Sequence, residues 1–270
     1  MQNALAKDVL ADVLQRIGDK IGGITTKQVV VSVLYTAVRL STDDIGLAST
    51  PLSDFPAESR DFFSNAGTLT RLPVTELAEM AQSWDFSKRV VGTAALNALS
   101  QLAIRTEGGD IARRYGDVVE LTDVGRGDTV VMVGNMRHSV EKLRPRAKEV
   151  LVLERSVGLR ESGYYPDTAA DVIIPKGDVV FITGSTLCNG TIDHLLELCG
   201  GAREVVLLGM TAGIFPPTLF ARGVTAVAPL EILDPEESML TVSQGGGKPA
   251  LMKSARLVVY QPGSKRRPPV

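Results

Sequence analysis

The sequence predicts an α/β protein in which a small α+β domain precedes a mainly parallel, doubly wound sheet with helices on both faces. Between about residues 110 and 260, six short apolar runs alternate with segments of helical period, which is the pattern of parallel strands joined by helices. The first 107 residues instead combine helical stripes with one β-branched stretch. We therefore predict two domains, residues 1–107 and residues 108–270.

The N-terminal domain should begin with an amphipathic helix. Apolar residues recur every four positions from Leu5 to Ile17, and Gly18 ends the stripe. Residues 28–40 are rich in β-branched and aromatic side chains, which predicts a long strand or the first arm of a hairpin. Residues 43–65 contain turn residues and show no clear period, so we expect them to be irregular or weakly β.

Two further helices are predicted before the domain boundary. Thr75 is expected to cap a short helix, and a longer helix should run from about Phe86 to Ile104. The apolar stripe of the longer helix consists of Val91, Ala95, Ala98, Leu99 and Leu102. The polar, glycine-containing stretch 107–115 then marks the predicted boundary.

The second domain should contain six strands and a final edge strand. Short apolar runs such as Thr129–Val133 suit strands that are buried on both faces. The predicted strands are 129–133, 150–153, 171–174, 179–182, 205–208 and 224–228, with an edge strand at 257–259. The helices between them are predicted at 137–144, 191–198, 218–222 and 235–242.

Small or polar residues follow directly behind these apolar runs, and they predict a ligand site. In an open parallel sheet, ligands bind outside the carboxyl ends of the strands, where the strand order reverses. The residues placed there are Gly134, Asn135, Glu154, Thr183, Gly184, Ser185, Thr186, Gly209 and Thr211. We expect them to line one edge of the sheet.

The segment from Thr183 to Thr191 (TGSTLCNGT) is the most informative part of that edge. Its two glycines let the backbone bend, and the hydroxyls of Thr183, Ser185 and Thr186 can bond to an anion or a polar ring. Asn189 either contacts the ligand or caps the next helix. The alternative for the whole segment is a well-capped connection between a strand and a helix.

Glu154 ends the second predicted strand, 20 residues after Gly134. An acid at that spacing accepts hydrogen bonds from ribose hydroxyls in dinucleotide-binding folds. The turn after Gly134 lacks the further glycines of the phosphate fingerprint, however, so a standard NAD site is not expected. A nucleoside-like or other hydroxyl-bearing ligand stays open, and the alternative is a surface acid paired with Arg155 or Arg160.

Metal ligands are scarce in the sequence. Helical phase places Cys199 in the core and His194 opposite it in solvent, which leaves Cys188 and His138. His138 should lie near the proposed edge and is a candidate ligand contact, but no spacing matches a zinc site, so no metal ligand is predicted. Asn97, a polar residue on an apolar helix, either bonds a neighbouring element or points into a cleft between the domains.

The composition limits the partners. The formal net charge of -2, with charged residues at 22%, offers no basic stripe for nucleic acid. No apolar run approaches the roughly 20 residues that a membrane helix needs. With two cysteines and no secretory signal, we expect a cytoplasmic protein. The sequence specifies no cofactor and no oligomeric state.

The run from Phe181 to Asp193 (FITGSTLCNGTID) resembles the TGTTLVNGTLD signature of the family described as "putative heavy-metal chelation". The resemblance extends over most of the chain from about Thr75 to Gly247. Three further segments carry it: Gly92–Ala98, Val150–Glu154, and Val206–Gly209 leading to Pro216 and Pro217. It implies an enolase-N-terminal-like first domain, a Rossmann-like second domain and a site in the cleft between them.

The chain departs from the family pattern at two positions beside the predicted site. Met210 and Thr211 follow Gly209, where the family usually has proline and serine. Asn135 and Met136 stand where an aromatic residue and a proline are common. These departures leave the identity of the ligand open.

Three hypotheses for function follow. The first is a small-ligand-binding protein that sequesters or hands on a metal as a metal–small-molecule complex. The second is an enzyme that acts on a nucleoside-like or pterin-like ligand, with Glu154 or His138 as the titratable group. The third is an interaction module. Because soft metal ions prefer thiolate or imidazole clusters, the scarcity of these groups favours a metal already held by an organic chelator.

Overall fold

Two β-sheets of different construction make up the mixed α/β fold. The computed structural model describes residues 3–52, 62–63, 66–108 and 110–263. The first sheet is antiparallel, in the order β1-β2-β3, and consists of Thr26–Val31 (β1), Tyr35–Leu40 (β2) and Ile45–Ser49 (β3). The second is mostly parallel and consists of Ile111–Tyr115 (β4), Thr129–Val133 (β5), Glu149–Leu153 (β6), Val179–Thr183 (β7), Glu204–Leu208 (β8), Ala226–Ala228 (β9), Leu230–Ile232 (β10) and Ala255–Pro262 (β11).

Helices cover both sheets. In chain order they are Ala4–Ile17 (α1), Val74–Glu79 (α2), Phe86–Glu107 (α3), Val118–Leu121 (α4), Arg137–Leu143 (α5), Ala170–Ile173 (α6), Ser185–Asn189 (α7), Ile192–Leu198 (α8), Pro216–Phe220 (α9), Pro235–Ser243 (α10) and Lys248–Leu251 (α11). In the part of the chain that the structure describes, none of them is both long and apolar enough to cross a bilayer.

The N-terminal helices follow the predicted pattern with one correction. α1 buries the stripe from Leu5 to Ile17, and the Asn3 side chain caps it by accepting a hydrogen bond from Ala6 N. α2, however, begins at Val74 after Pro73, so the prediction that Thr75 caps it was wrong. The proline fixes the backbone just before the helix, and this replaces a side-chain cap.

β3 corrects the prediction of irregular structure for residues 43–65. Ile45–Ser49 pairs along β2, and four of its five residues are buried. Gly46 obscured the strand in the sequence, but it has a packing role. A β-carbon at this position would lie 2.0 Å from the Ala94 carbonyl oxygen, so the missing side chain lets α3 pack directly on the strand. Residues 53–61 and 64–65 of the same stretch lie outside the described residues.

The second sheet confirms the predicted doubly wound, mainly parallel architecture. Hydrogen-bonded neighbours follow the path β10-β11-β9-β8-β7-β5-β6, with β4 also paired to β11, and neighbouring strands from β5 to β9 are parallel. β6 lies on one side of β5, and the chain then crosses over to place β7 on the other side. The strand order therefore reverses between β5 and β7, which is where a parallel sheet opens a crevice at its carboxyl edge.

Two strand predictions in this sheet were wrong. Residues 171–174 belong mostly to α6, in which Ile173 is buried and Val172 is 64% exposed. The three apolar residues from Val172 to Ile174 do not by themselves distinguish a strand from a helix. The predicted edge strand at 257–259 is the centre of β11, which has β4 on one side and β9 and β10 on the other. β4 and β10 were not predicted, because Arg113, Arg114 and Glu231 give them a polar appearance.

One hydrophobic core joins the two sheets. α3 contributes Val91, Ala95 and Leu99 to it, and the inner face of the large sheet contributes Val131 and Ile182. The opposite face of the large sheet buries a second cluster under α4 and α5. The small sheet is therefore packed through α3 against the large sheet, and this packing places the end of β3 beside the carboxyl edge of β7 and β8.

Candidate functional site

A cleft of about 390 Å³ lies at the carboxyl edge of the large sheet, where the small sheet meets it. It spans the reversal point between β5 and β7 and reaches towards β9 and β11. Its polar lining consists of Tyr35, Ser49, Asp117, Arg137, His138, Ser139, Thr183, Ser185, Thr211 and Lys248. Its apolar lining includes Val118, Met136, Leu208, Met210, Leu230 and Leu257.

A chain of hydroxyl groups joins the two sheets along one wall of the cleft. Ser185 Oγ donates to Ser49 Oγ at 3.1 Å, and Ser49 Oγ lies 3.0 Å from Thr211 Oγ1. The Ser49 amide also donates to Thr211 Oγ1 at 2.9 Å. Thr183 Oγ1 extends the chain towards Ser185 at 3.4 Å. Because each hydroxyl offers one donor and two acceptor positions, this wall can bond a polar ligand from both sheets at once.

Two glycines give this wall its shape. Gly134 follows β5 with φ of +97°, and a β-carbon there would lie 2.8 Å from the Thr183 side chain. Gly184 follows β7, and a β-carbon there would lie 2.6 Å from the Ala212 amide nitrogen. The loops after β5, β7 and β8 therefore approach each other more closely than side chains would permit.

Three titratable side chains in the cleft are open to a ligand. Tyr35 comes from β2, His138 from α5 and Lys248 from the start of α11. To the residues that the structure describes, none of these three side chains makes a hydrogen bond or an ion pair within 4.0 Å. The Tyr35 ring is half-buried, and this burial raises the pKa of its phenol.

The remaining charges of the cleft have partners. Asp117 caps α4 by accepting from Val119 N at 3.0 Å, and it binds Lys142 Nζ at 2.8 Å. Burial opposes ionisation of Asp117, but these hydrogen bonds and the positive charges of Lys142 and Lys248 outweigh it and lower the carboxyl pKa. Arg137 pairs with Glu161 at 2.6 Å. Both Asp117 and Arg137 are thus already neutralised by protein groups.

Glu154 does not line the cleft, although we predicted that it would bind ligand hydroxyls. It is 8% exposed, and its two carboxylate oxygens accept from the amides of Asn135 and Ser156, each at 2.7 Å. Arg160 donates to the main-chain carbonyl of Glu154 rather than to the carboxylate. In the structure, the Glu154 carboxylate therefore links the loop after β5 to the loop after β6.

Asn97 also lies behind the cleft wall rather than in it. It is fully buried on α3, and its amide group donates to the carbonyl oxygens of Leu47 and Thr211, both at 2.8 Å. Of the two roles that the sequence left open, the structure shows the hydrogen bond to neighbouring elements. The Asn135 side chain also bonds to the protein and not to the cleft, since its amide donates to the Leu159 carbonyl at 2.8 Å.

Residues 183–191 serve both roles that the sequence allowed. Some of them line the cleft, and others stabilise the connection between strand and helix. Its first three residues, Thr183, Gly184 and Ser185, line the cleft, and so do His138, Gly209 and Thr211. Thr186 is buried and donates to the Thr183 carbonyl at 2.7 Å. Asn189 accepts hydrogen bonds from the amide and hydroxyl of Thr191. Thr186 and Asn189 therefore stabilise the connection, and we see neither at the cleft.

The two cysteines and the second histidine lie away from the cleft. Cys188 and Cys199 are buried in the core, and burial raises the pKa of their thiols to about 12 and about 11. His194 is half-exposed, with Nε2 3.1 Å from Asp171. Among the residues that the structure describes, no three His, Cys, Asp or Glu side chains are grouped to hold a metal ion.

Sequence reasoning missed Tyr35, Ser49 and Lys248. Ser49 directly follows the apolar residues of β3, as the predicted residues follow the parallel strands, so that signal was present. Tyr35 and Lys248 had no comparable signal. Lys248 reaches the cleft because the glycine-rich segment 245–247 packs against the hairpin tip, where a β-carbon on Gly245 would lie 3.2 Å from Val33.

Comparisons with known proteins agree with this architecture. A solved structure of a protein of unknown function from Pyrococcus horikoshii matches with a TM-score of 0.81 at 23% identity, covering 95% of this chain and 99% of that one. One from Desulfitobacterium hafniense, also of unknown function, matches with a TM-score of 0.75 at 24% identity, covering 95% and 98%. These likenesses establish the shared fold.

Sequence comparison identifies the family. An uncharacterised protein of Methanocaldococcus jannaschii is 34% identical over 168 residues, which is 61% of this chain and 62% of the length of that relative. Two family models, both described as "putative heavy-metal chelation", match residues 14–100 and 117–261. The second match alone covers more than half of the chain. The protein therefore belongs to the family described as "putative heavy-metal chelation".

Proposed function

We propose that the protein binds a small polar organic molecule in the cleft between its two sheets, and that a metal ion reaches it as a complex with that molecule. The observation that carries this proposal is the hydroxyl chain from Ser185 through Ser49 to Thr211. It takes members from both sheets, and it leaves hydrogen-bonding capacity facing a cleft large enough for a small ligand.

The donor set of the cleft does not fit direct chelation of a soft metal ion. Such ions prefer thiolate, thioether or imidazole groups arranged together. His138 supplies an imidazole, and Met136 and Met210 bring thioethers that are only weak donors, but the other polar lining residues are mainly hydroxyls, such as Ser139, Thr183 and Ser185. Hydroxyl groups suit the oxygen and nitrogen atoms of an organic chelator, so the chelator, and not the protein, would coordinate the metal.

Titration of the protein with metal alone tests whether the protein itself coordinates the metal. We expect stripped protein to bind zinc, nickel and cobalt with dissociation constants weaker than about 1 μM, or about 8 kcal/mol, because the described donors are too few and too dispersed. Isothermal calorimetry measures the binding. Stoichiometric binding that is tighter than this and is lost in His138→Ala or Cys188→Ser would contradict the proposal and support direct chelation.

A second candidate is an enzyme acting on a nucleoside-like or pterin-like ligand. The observation that favours it is the group of open titratable side chains, because general acid–base catalysis needs such groups beside the substrate. Glu154 no longer serves this hypothesis, since backbone amides occupy both of its oxygens. His138 remains the candidate that the sequence named, and Tyr35 joins it. The two functions differ in whether the bound molecule leaves the cleft chemically changed.

A further inference from the structure

We propose that the ligand of this cleft is an organic anion and that Lys248 binds its negatively charged group. This inference rests on the proposed function, because it names the chemical class of the ligand in the same cleft. The charged side chains among the described lining residues are those of Asp117, Arg137 and Lys248.

Two of these three charges are already neutralised by the protein. Asp117 binds Lys142 and caps α4, and Arg137 binds Glu161. Lys248 lies near enough to Asp117 to lower its pKa, but it forms no ion pair within 4.0 Å to any residue that the structure describes. Among the charged side chains that line the described cleft, the ammonium group of Lys248 therefore lacks an ion-pair partner, and an anionic ligand would supply one.

The fold holds Lys248 in this position from both sheets. It is the first residue of α11, whose Leu251 is fully buried in a cluster with Leu47 of β3 and Met210. On the other side, Gly247 lies against the hairpin between β1 and β2, where a β-carbon would be 3.4 Å from Leu34 Cδ1. The backbone that carries the ammonium group is thus fixed, although the side chain itself is exposed.

The other lining residues of the cleft indicate the polarity of the remainder of the ligand. Tyr35, Met136, Met210 and Leu230 provide apolar surface for a hydrocarbon or aromatic body. The hydroxyls of Ser185, Ser49 and Thr211 suit oxygen or nitrogen atoms along one edge of that body. The lining as a whole suits a small carboxylate- or phosphate-bearing molecule with an apolar body, a description that includes aromatic carboxylate chelators.

Binding of matched acids and neutral amides tests this inference. We would measure benzoate against benzamide, salicylate against salicylamide, and dipicolinate against its diamide by ligand-observed NMR and calorimetry. We expect the wild-type protein to bind the best acid about tenfold more tightly than its amide. Lys248→Gln should abolish this preference, and added salt should weaken it. Lys253→Gln, which removes an exposed lysine outside the cleft, should leave it intact.

The outcomes separate this inference from the function on which it rests. If acids and amides bind equally well, or if the preference for acids survives Lys248→Gln, the anionic class is wrong while the cleft remains a binding site. If no probe of either kind binds to the wild-type protein, the proposed function fails and this inference fails with it. Circular dichroism of both lysine variants checks that the fold is unchanged.

Discussion

Asn97→Asp is expected to destabilise the protein by about 3–5 kcal/mol, lowering the melting temperature by about 10 °C. Asn97 is fully buried, and both hydrogens of its amide are donated, one to the Leu47 carbonyl and one to the Thr211 carbonyl. A carboxylate would face two carbonyl oxygens with no proton to offer, at a fully buried position where bulk solvent does not reach the charge. Thermal unfolding followed by circular dichroism measures the loss.

Asn189→Asp is the matched control for this prediction. Asn189 uses its side-chain oxygen as an acceptor from the amide and hydroxyl of Thr191, and a carboxylate can accept the same bonds. The free energy of unfolding of Asn189→Asp should differ from that of the wild-type protein by less than about 0.5 kcal/mol. Equal losses in the two variants would contradict the assignment of Asn97 as the link between β3 and the loop after β8.

Gly46→Ala is expected to have a similarly large effect, about 3 kcal/mol or more. The new β-carbon would lie 2.0 Å from the Ala94 carbonyl oxygen and 2.2 Å from the Ala98 amide nitrogen. Since both atoms belong to the backbone of α3, a side-chain rotation cannot relieve the clash, and the helix must move away from β3. Urea unfolding measures the change.

The same movement of α3 away from β3 should also disturb the wall of the cleft. Gly46 precedes Leu47, whose carbonyl binds Asn97, and Ser49 lies at the end of the same strand. Gly127→Ala provides the control, because a β-carbon there would meet no atom within 4 Å and its φ is not positive. A stability loss at Gly127 as large as that at Gly46 would show that the close approach of α3 and β3 is not the cause.

Most of the large sheet could be predicted from the sequence because its parallel strands are short apolar runs followed by glycine or polar residues. That pattern placed β5, β6, β7 and β8 to within a residue or two, together with the loops at their carboxyl ends. The failures occurred where tertiary pairing decides the structure. β4 contains Arg113 and Arg114, and it is a strand because β11 pairs with it residue by residue. The domain boundary after residue 107 stays a prediction.

The candidate site was predictable only in the part contributed by the parallel strands. Thr183, Ser185 and Thr211 follow such strands, and the rule that ligands bind at this edge led directly to them. Glu154 and Asn97 were indicated by residue type and position, but the choice between ligand contact and internal hydrogen bonding depends on the orientation of a few atoms. Tyr35 and Lys248 come from elements distant in the sequence, and only the packing of the hairpin against segment 245–247 brings them to the cleft.

Native mass spectrometry tests the central claim, that the cleft between the sheets binds a small organic ligand. The protein is incubated with the small-molecule fraction of a cell extract and separated from unbound molecules. It is then introduced into the mass spectrometer by electrospray under native conditions. We predict an adduct on the wild-type protein that is lost in Ser139→Trp, which fills the cleft, and kept in Glu141→Trp, which places the same ring on the exposed side of α5. An adduct that survives Ser139→Trp, or a wild-type protein that carries none, would contradict the claim.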